Sequence, residues 1–306
     1  MSKKYILITG ITGFLGSHIA ENLFNNYSVI GLKRKNSNIW RCKEFEDKVI
    51  WIDIDGEKNY VNELNNYLID TIIHGAWVGV QSNERDDWSL QAKNIHLLIE
   101  LLKIVQTRHI RRFIFLGSQA EYGNINGVVT EDQHCESLNA YGSVKLACLE
   151  ILKTFSKNNN ISWIWLRIFS LFGEKEDINW LIPSLINKIK TESEMDFTFG
   201  EQKYTYLYVK DFALIVDKIL TLEIQSGIYN VSSDIALSIR SLVEEIRDRI
   251  NPNFKLNFGA LEYRKNQSMH IEGSIEKIKV QIGEFEFTNF NIALNNTIEY
   301  YKNKLT

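Results

Sequence analysis

Short apolar runs alternate with segments of helical periodicity through the first half of the chain. The apolar runs are rich in β-branched and aromatic residues and predict strands at 5–9, 28–32, 49–54, 71–74, 112–116 and 163–167. Between them, apolar residues recur every three or four positions, which predicts helices at 17–25, 60–67, 88–106 and 140–157. Strands that alternate with helices over this length are typical of a parallel, doubly wound α/β sheet.

The rhythm changes after about Gly173. The later patterns predict helices at 180–190, 211–222 and 239–250 and strands at 205–209 and 228–231. We therefore predict a Rossmann-like α/β fold with a smaller C-terminal substrate lobe woven into it. The predicted dinucleotide-binding domain comprises 1–172 and 203–233, and the predicted substrate lobe comprises 173–202 and 234–306.

The composition of the chain argues against several classes of protein. The 306 residues carry a net charge of −3, and their lysines and arginines are scattered, which argues against nucleic acid as a partner. No run approaches the roughly 20 apolar residues that span a bilayer, so we expect no membrane segment. Three cysteines without metal-ligand spacing indicate reduced thiols, no metal site and a cytoplasmic location.

A glycine-rich segment, TGITGFLG, lies between the first predicted strand and helix. Such a turn lets the backbone approach a pyrophosphate at a helix N-terminus, although glycines also form ordinary turns. We predict a dinucleotide site here. Its expected cofactor contacts are Gly10, Thr12, Gly13, Phe14, Leu15 and Gly16.

The residues after the second and third predicted strands bear on the choice of cofactor. Lys33 and Arg34 follow the second strand, where NAD-specific sites usually have an acidic residue, so NADPH is favoured and NAD is the alternative. A solvated basic turn is the other interpretation. Asp53 and Ile54 end the third strand, where Asp53 either accepts a bond from the adenine amino group or caps the strand.

The pattern Tyr-x-x-x-Lys occurs three times, beginning at Tyr141, Tyr206 and Tyr300. Only Tyr141 opens a helix just after a strand that ends near Ser118, and Lys145 then lies one turn along the same face. We expect the ammonium of Lys145 to lower the pKa of Tyr141, so that Tyr141 exchanges a proton with a substrate oxygen. Ser118 would bond the same oxygen, and Lys145 would also reach the cofactor ribose.

Together these features resemble the extended short-chain dehydrogenase/reductase superfamily, in its NAD-dependent epimerase/dehydratase branch acting on nucleotide sugars. The matching segments are TGITGFLG, His74-Gly-Ala76, YGSVK, LRIFSLFG, YVKDFA and IYNVSS. The resemblance implies that His74 and Ala76 adjoin the cofactor, and that Ser118, Tyr141 and Lys145 are catalytic.

The resemblance also implies substrate contacts, with departures from the family pattern. Ser170 replaces the asparagine that relatives use on the diphosphate, and Tyr204 stands near the place of a phosphate-binding arginine. Lys203 and Gln202 are the candidates to replace that arginine. Arg264 resembles a later diphosphate-binding arginine of the family, although it could also be a solvated surface residue. Gln119 is a candidate sugar ligand, or else it bonds at the strand end.

Further departures concern the helix and the turn near the predicted catalytic residues. Gln91 takes the place of a family asparagine, with Asn94 one turn away. Glu121 falls where relatives usually have an apolar residue, and a bond to the loop at 83–85 is our expectation for it.

The residues after Ser118 discriminate between reactions of the family. Dehydratases carry Asp-Glu there, whereas this chain has Gln119 and Ala120, and no cysteine adjoins Ser118 as in the 3,5-epimerising relatives. An NADPH-dependent reduction of the C4 keto group of a nucleotide-linked, 6-deoxy sugar is therefore expected, in surface polysaccharide biosynthesis of bacterial type. A 4-epimerase with tightly bound NAD and a non-catalytic NADP(H)-binding protein are the alternatives.

The long helices at 88–106 and 140–157 resemble the pair through which relatives dimerise. We expect a homodimer that uses them.

Overall fold

A computed structural model describes residues 4–264 and 267–304. The chain divides into two compact units. The first contains the residues up to Gly123, His134–Ile168 and Ala213–Tyr229, and the second contains Asn124–Gln133, Phe169–Phe212 and the residues from Asn230 onward.

The first unit is built on a seven-stranded sheet. Its strands are β1 (Tyr5–Thr9), β2 (Ser28–Lys33), β3 (Val49–Asp53), β4 (Ile69–His74), β5 (Arg112–Leu116), β7 (Ser162–Ile168) and β12 (Gly227–Val231). The order across the sheet is β12-β7-β5-β4-β1-β2-β3, and β1 to β5 and β7 pair in parallel. The predicted doubly wound α/β fold is confirmed.

The strand order reverses beside β1. From β1 the chain proceeds through β2 and β3 on one side, and β4 then returns to the other side of β1. In sheets of this kind, ligands bind outside the carboxyl ends of the strands at such a reversal. The glycine segment after β1 and His74 at the end of β4 both lie there.

Helices pack on this sheet because each has an apolar face. They are α1 (Phe14–Leu23), the one-turn α2 (Tyr60–Glu63), α3 (Trp88–Arg108), α4 (Ala140–Asn159) and α6 (Val209–Thr221), which continues from the second unit into the first. Leu98 and Leu101 of α3 and Leu152 of α4 join Ile72 and Phe113 of the sheet in one buried cluster.

The second unit contains short strands and four further helices. Its strands are β6 (Gly127–Val129), β8 (Leu171–Phe172), β9 (Glu194–Phe197), β10 (Lys203–Thr205), β11 (Leu207–Tyr208), β13 (Ala236–Ser238), β14 (Lys255–Phe258) and β15 (His270–Gly273). Its helices are α5 (Leu181–Thr191), α7 (Ile239–Ile250), α8 (Glu276–Ile282) and α9 (Phe290–Lys304). Phe172, Leu185, Leu242 and Leu294 lie in its apolar core.

Several boundaries differ from those predicted. The second unit includes residues 124–133, 169–172, 203–212 and 230–233, which the sequence assigned to the dinucleotide-binding domain. The predicted strand at 205–209 is two strands, β10 and β11, and Val209 already begins α6. The predicted helix at 60–67 is a single α-turn followed by the 3-10 turn Leu64–Asn66, because Asn59 caps its start and the pattern ends soon after.

Two findings bear on the class of protein. Among the described residues, no helix is long and apolar enough to cross a membrane. Cys42, Cys135 and Cys148 form no disulfide bond within the part of the chain that the structure describes.

Candidate active site

The predicted catalytic residues lie together in the first unit. Ser118 follows β5 and begins the 3-10 turn Gln119–Glu121, where its hydroxyl accepts the backbone N–H of Ala120 at 3.2 Å. Tyr141 and Lys145 lie one turn apart at the start of α4.

A close backbone contact brings the two segments together. A Cβ atom on Gly142 would lie 2.5 Å from the carbonyl oxygen of Ala120 and 2.3 Å from Oγ of Ser137. Only glycine therefore lets the first turn of α4 pack against the turn after Ser118. The side chains of Ser118 and Tyr141 interact, and this interaction acts to lower the pKa of Tyr141.

The pKa of Tyr141 is shifted in the direction opposite to the one expected from the sequence. Burial raises the pKa of Tyr141, while Arg85 and the interaction with Ser118 oppose this rise. The predicted lowering of this pKa by Lys145 is not found. The Lys145 ammonium donates to the carbonyl oxygen of Leu116, at 2.7 Å. A phenol that keeps its proton at neutral pH is suited to act as an acid.

Lys145 is the second titratable group at this edge of the sheet. Its side chain is only 4% exposed. Burial lowers the pKa of Lys145 to about 7, against the opposing effect of the Glu121 carboxylate. Its amine therefore changes protonation state near neutral pH.

Glu121 is completely buried, and its partners differ from those expected. In place of the loop at 83–85, its carboxylate accepts the Ser118 N–H at 2.8 Å, Trp165 Nε1 at 3.0 Å and Arg167 Nε at 2.8 Å. Burial raises the pKa of Glu121, and Arg167 opposes this. Since each of these contacts donates to the carboxylate, we regard Glu121 as ionised. It ties the Ser118 turn to β7.

The glycine segment fits a dinucleotide. Gly10 has a positive φ of 70°, and a Cβ atom on Gly16 would lie 2.2 Å from the Gly10 carbonyl oxygen. These glycines allow α1 to start directly after Gly13, without a side-chain cap. The N–H groups and positive dipole end of α1 therefore face the segment that contains Thr12, as a pyrophosphate requires.

The two basic residues at the end of β2, Lys33 and Arg34, have different surroundings. The Lys33 ammonium pairs with the Asp53 carboxylate at 2.5 Å, because Lys33 and Asp53 are opposite each other in the β2–β3 register. Arg34 is exposed, and its backbone N–H bonds Ser37 Oγ at 3.2 Å. Ile54 is also exposed, and its N–H bonds the Lys33 carbonyl oxygen at 2.9 Å.

His74 is a buried residue that joins two strand ends. Its Nδ1 lies 2.7 Å from the Thr9 hydroxyl, which also accepts the Ala76 N–H at 3.2 Å. Burial, assisted by Lys145, lowers the pKa of His74 to about 3, so the imidazole is neutral at physiological pH. This geometry gives His74 a structural position at the reversal of the strand order.

The four predicted substrate residues fall in both units. Gln119 lies in the turn beside Ser118, whereas Ser170, Gln202 and Arg264 lie in the second unit. The buried Gln202 amide bonds Thr198 Oγ1 at 3.3 Å, and Arg264 is exposed. Their roles as substrate ligands stay predictions.

Three residues near Tyr141 and Lys145 escaped prediction. Arg85 accepts the Tyr141 N–H at its carbonyl oxygen, at 2.8 Å, and no sequence signal points to it. Trp77 lies in the irregular segment after β4, where aromatic residues carry no specific signal. The sequence did carry a signal for Arg167, because a charged residue inside an apolar strand requires a buried partner. Glu121 was the carboxylate whose role the sequence left unexplained.

The model of the NAD dependent epimerase/dehydratase family matches residues 6–232. The chain belongs to this family. The match includes the glycine segment, Ser118, Tyr141 and Lys145.

Relatives and solved structures extend this comparison. The chain is 28% identical over 275 residues to CDP-abequose synthase of Salmonella muenchen, covering 87% of each chain. It is 27% identical over 254 residues to a putative UDP-glucose 4-epimerase of Methanocaldococcus jannaschii, covering 80% of this chain and 82% of the relative. The fold is that of UDP-glucuronic acid 4-epimerase from Bacillus cereus, solved with UDP-glucuronic acid and NAD, with a TM-score of 0.87, 22% identity and coverage of 98% and 99%.

Replacing Glu121 by Gln should lower the free energy of unfolding by about 3 kcal/mol, because Arg167 would be left buried without its counterion. Urea denaturation monitored by circular dichroism measures this. Glu100→Gln is the matched control, since Glu100 pairs with Lys103 at 2.7 Å on the surface and its loss should be barely measurable. Equal effects of the two substitutions would contradict the assignment of Glu121 as a buried charge.

Proposed function

We propose that the protein reduces the C4 keto group of a nucleotide-linked, 6-deoxy sugar with NADPH. The observation that carries this proposal is the composition of the turn after Ser118. Gln119 and Ala120 offer no acid or base, and the one carboxylate of the turn, Glu121, is buried and accepts bonds from Ser118, Trp165 and Arg167. Dehydration needs an acid and a base at this place, so another enzyme must supply the keto sugar.

The chain's own residues have distinct roles in this reaction. Tyr141 donates its phenolic proton to the oxygen that forms the product hydroxyl. Ser118, which interacts with Tyr141, steadies the same oxygen, and Lys145 supports the phenol and bonds the cofactor ribose. The glycine segment holds the pyrophosphate, and the nicotinamide supplies the hydride when bound.

NADPH is favoured over NAD by the basic turn after β2. Arg34 is exposed and forms no salt bridge with any acidic residue that the structure describes, whereas Lys33 is paired with Asp53. A reductase must release oxidised cofactor and rebind NADPH in each cycle.

A 4-epimerase that retains NAD is the second candidate. It needs the same Ser118, Tyr141 and Lys145, and the similarity to a putative UDP-glucose 4-epimerase favours it. The similarity to CDP-abequose synthase supports a nucleotide-sugar substrate without deciding the reaction.

The deciding assay incubates the protein with NADPH and 4-keto-6-deoxy sugars linked to dTDP, CDP, UDP or GDP. We expect NADPH absorbance to fall in proportion to the product that forms. Interconversion of C4 epimers by protein that carries NAD, without consumption of NADPH, would refute the reductase and support the epimerase. Cofactor binding without turnover of any of these substrates would indicate a non-catalytic NADP(H)-binding protein.

Tyr141→Phe should reduce turnover roughly 10²-fold, because it removes the general acid. Tyr300→Phe is the matched control. Tyr300 begins another Tyr-x-x-x-Lys pattern, and its hydroxyl bonds Lys304 Nζ at 2.5 Å in α9 of the second unit. Its replacement should leave turnover unchanged in steady-state kinetics, and a similar loss in both variants would exclude the assigned role of Tyr141.

Arg34→Ala should weaken NADPH binding roughly 10- to 100-fold, as expected for a charged hydrogen bond to a 2′-phosphate, and leave NADH binding unchanged. Isothermal titration calorimetry measures both constants. Lys43→Ala, which removes a surface cation that pairs with Glu46, should affect neither. Tighter binding of NADH than of NADPH by the unaltered protein would overturn the choice of cofactor.

We also propose a homodimer formed through α3 and α4. Ile95 and Ile99 of α3, and Ile151 and Phe155 of α4, lie one turn apart and leave apolar surface partly exposed. Light scattering should therefore give twice the chain mass of 35.6 kDa. Ile99→Glu should yield monomer, whereas Lys93→Glu, at an exposed position on another side of the same helix, should not. A monomer in the unaltered protein at micromolar concentration would contradict this assembly.

A further inference from the structure

Aromatic rings surround the buried ammonium of Lys145. Its Nζ lies 3.8 Å from the centroid of the Trp77 ring, 5.0 Å from that of Phe115 and 5.6 Å from that of Tyr141. The Leu116 carbonyl oxygen accepts one of its three N–H groups. A cation within about 6 Å of an indole face is attracted by the negative face of the ring, most strongly where water is excluded.

Trp77 is itself held in place by a buried amide. Its Nε1 donates to Oε1 of Gln91 at 2.9 Å, and Nε2 of Gln91 donates to the carbonyl oxygens of Gly79 at 2.6 Å and Glu84 at 3.2 Å. Asn94, one turn along α3, bonds both the N–H and the carbonyl oxygen of Val78. The segment that carries Trp77 is therefore fastened to α3 by side chains with several bonds each.

We propose that Trp77 is a positioning residue for Lys145. The indole face of Trp77, which Gln91 holds in place, stabilises the charged ammonium of Lys145 beside Tyr141. Gln91 acts through Trp77 and does not touch Lys145. The inference rests on the proposed catalytic role of Lys145. It explains why a glutamine stands at this place on α3, because its longer side chain reaches the indole and two carbonyl oxygens together.

The titratable groups that face Lys145 lie on α4 itself, in the turn after β5 and at the end of β4. Glu121 of the turn after β5 favours the charged amine, as does Cys148 of α4, whereas burial opposes it. His74 at the end of β4 is neutral, and the charge of Lys145 helps to lower its pKa. None of these groups is altered in the variants below, so a change in the titration of Lys145 reports on the indole.

The test compares Trp77→Phe with Trp77→Leu. Both substitutions remove the indole N–H and leave an apolar side chain, but only the first keeps an aromatic face. Protein labelled with [6-¹³C]lysine is titrated by NMR, and the Lys145 signal is assigned by its loss in Lys145→Met. This measurement needs neither substrate nor cofactor, so its failure is distinguishable from failure of the proposed reaction.

We expect the pKa of Lys145 to be lower by about one unit in Trp77→Leu than in Trp77→Phe, since a desolvated cation–π contact has about that strength. Equal values, or a higher value in Trp77→Leu, would overturn the proposal. Thermal unfolding confirms that both variants are folded.

Gln91→Met tests the second step, because it removes the acceptor of the indole N–H. Alone it should lower the pKa of Lys145 by a smaller amount, and in the Trp77→Leu background it should change nothing further. Gln106→Met, at an exposed position of α3, is the control and should leave the titration unchanged. An equal effect of Gln91→Met in both backgrounds would show that Gln91 does not act through Trp77 and would overturn that step.

Discussion

The arrangement of the active-site edge depends on the buried carboxylate of Glu121. A charge without solvent is costly unless hydrogen bonds and a counterion replace the water it loses. Here the replacement comes from the Ser118 N–H, the Trp165 indole and the Arg167 guanidinium. The Ser118 N–H lies just after β5, whereas Trp165 and Arg167 lie on the neighbouring strand β7. The bonds that stabilise the carboxylate therefore fix the turn after β5 against β7. The position of the Ser118 hydroxyl follows from this.

The same few residues set the electrostatics around Tyr141, the proposed proton donor. Lys145 bonds the Leu116 carbonyl oxygen at the end of β5, and Glu121, five residues later, favours the charged form of Lys145. Burial acts in the opposite direction on Lys145, and it also raises the pKa of Tyr141. A protonated phenol beside an amine that titrates near neutral pH is a better acid catalyst for reduction than a phenolate would be. The low-dielectric surroundings, more than the sequence spacing of Tyr141 and Lys145, produce this state.

The local patterns were sufficient for the parallel sheet and for the group Ser118, Tyr141 and Lys145. Strands β1 and β5 have the predicted bounds, because each is a continuous apolar run between polar turns. Non-local pairing was beyond such patterns. Gly127 of β6 pairs with Ile271 of β15, and neither short segment alternates long enough to indicate a strand. Glu121 and Arg167 are likewise 46 residues apart, and only the order of β5 and β7 in the sheet makes them neighbours.

Strand register also changes the interpretation of the cofactor residues. The sequence suggested separate roles for Lys33 on a 2′-phosphate and Asp53 on adenine, but the pairing of β2 with β3 places the two side chains in contact. Lys33 is 14% exposed and Asp53 35% exposed, so their attraction is only partly screened by solvent. A 2′-phosphate near Lys33 would have to compete with the Asp53 carboxylate and would be repelled by it, whereas a ribose hydroxyl could donate to that carboxylate. Lys33 would therefore contribute less to a preference for NADPH than its charge suggests. We therefore propose that discrimination between the two cofactors rests on Arg34, which is exposed in the turn after this pair.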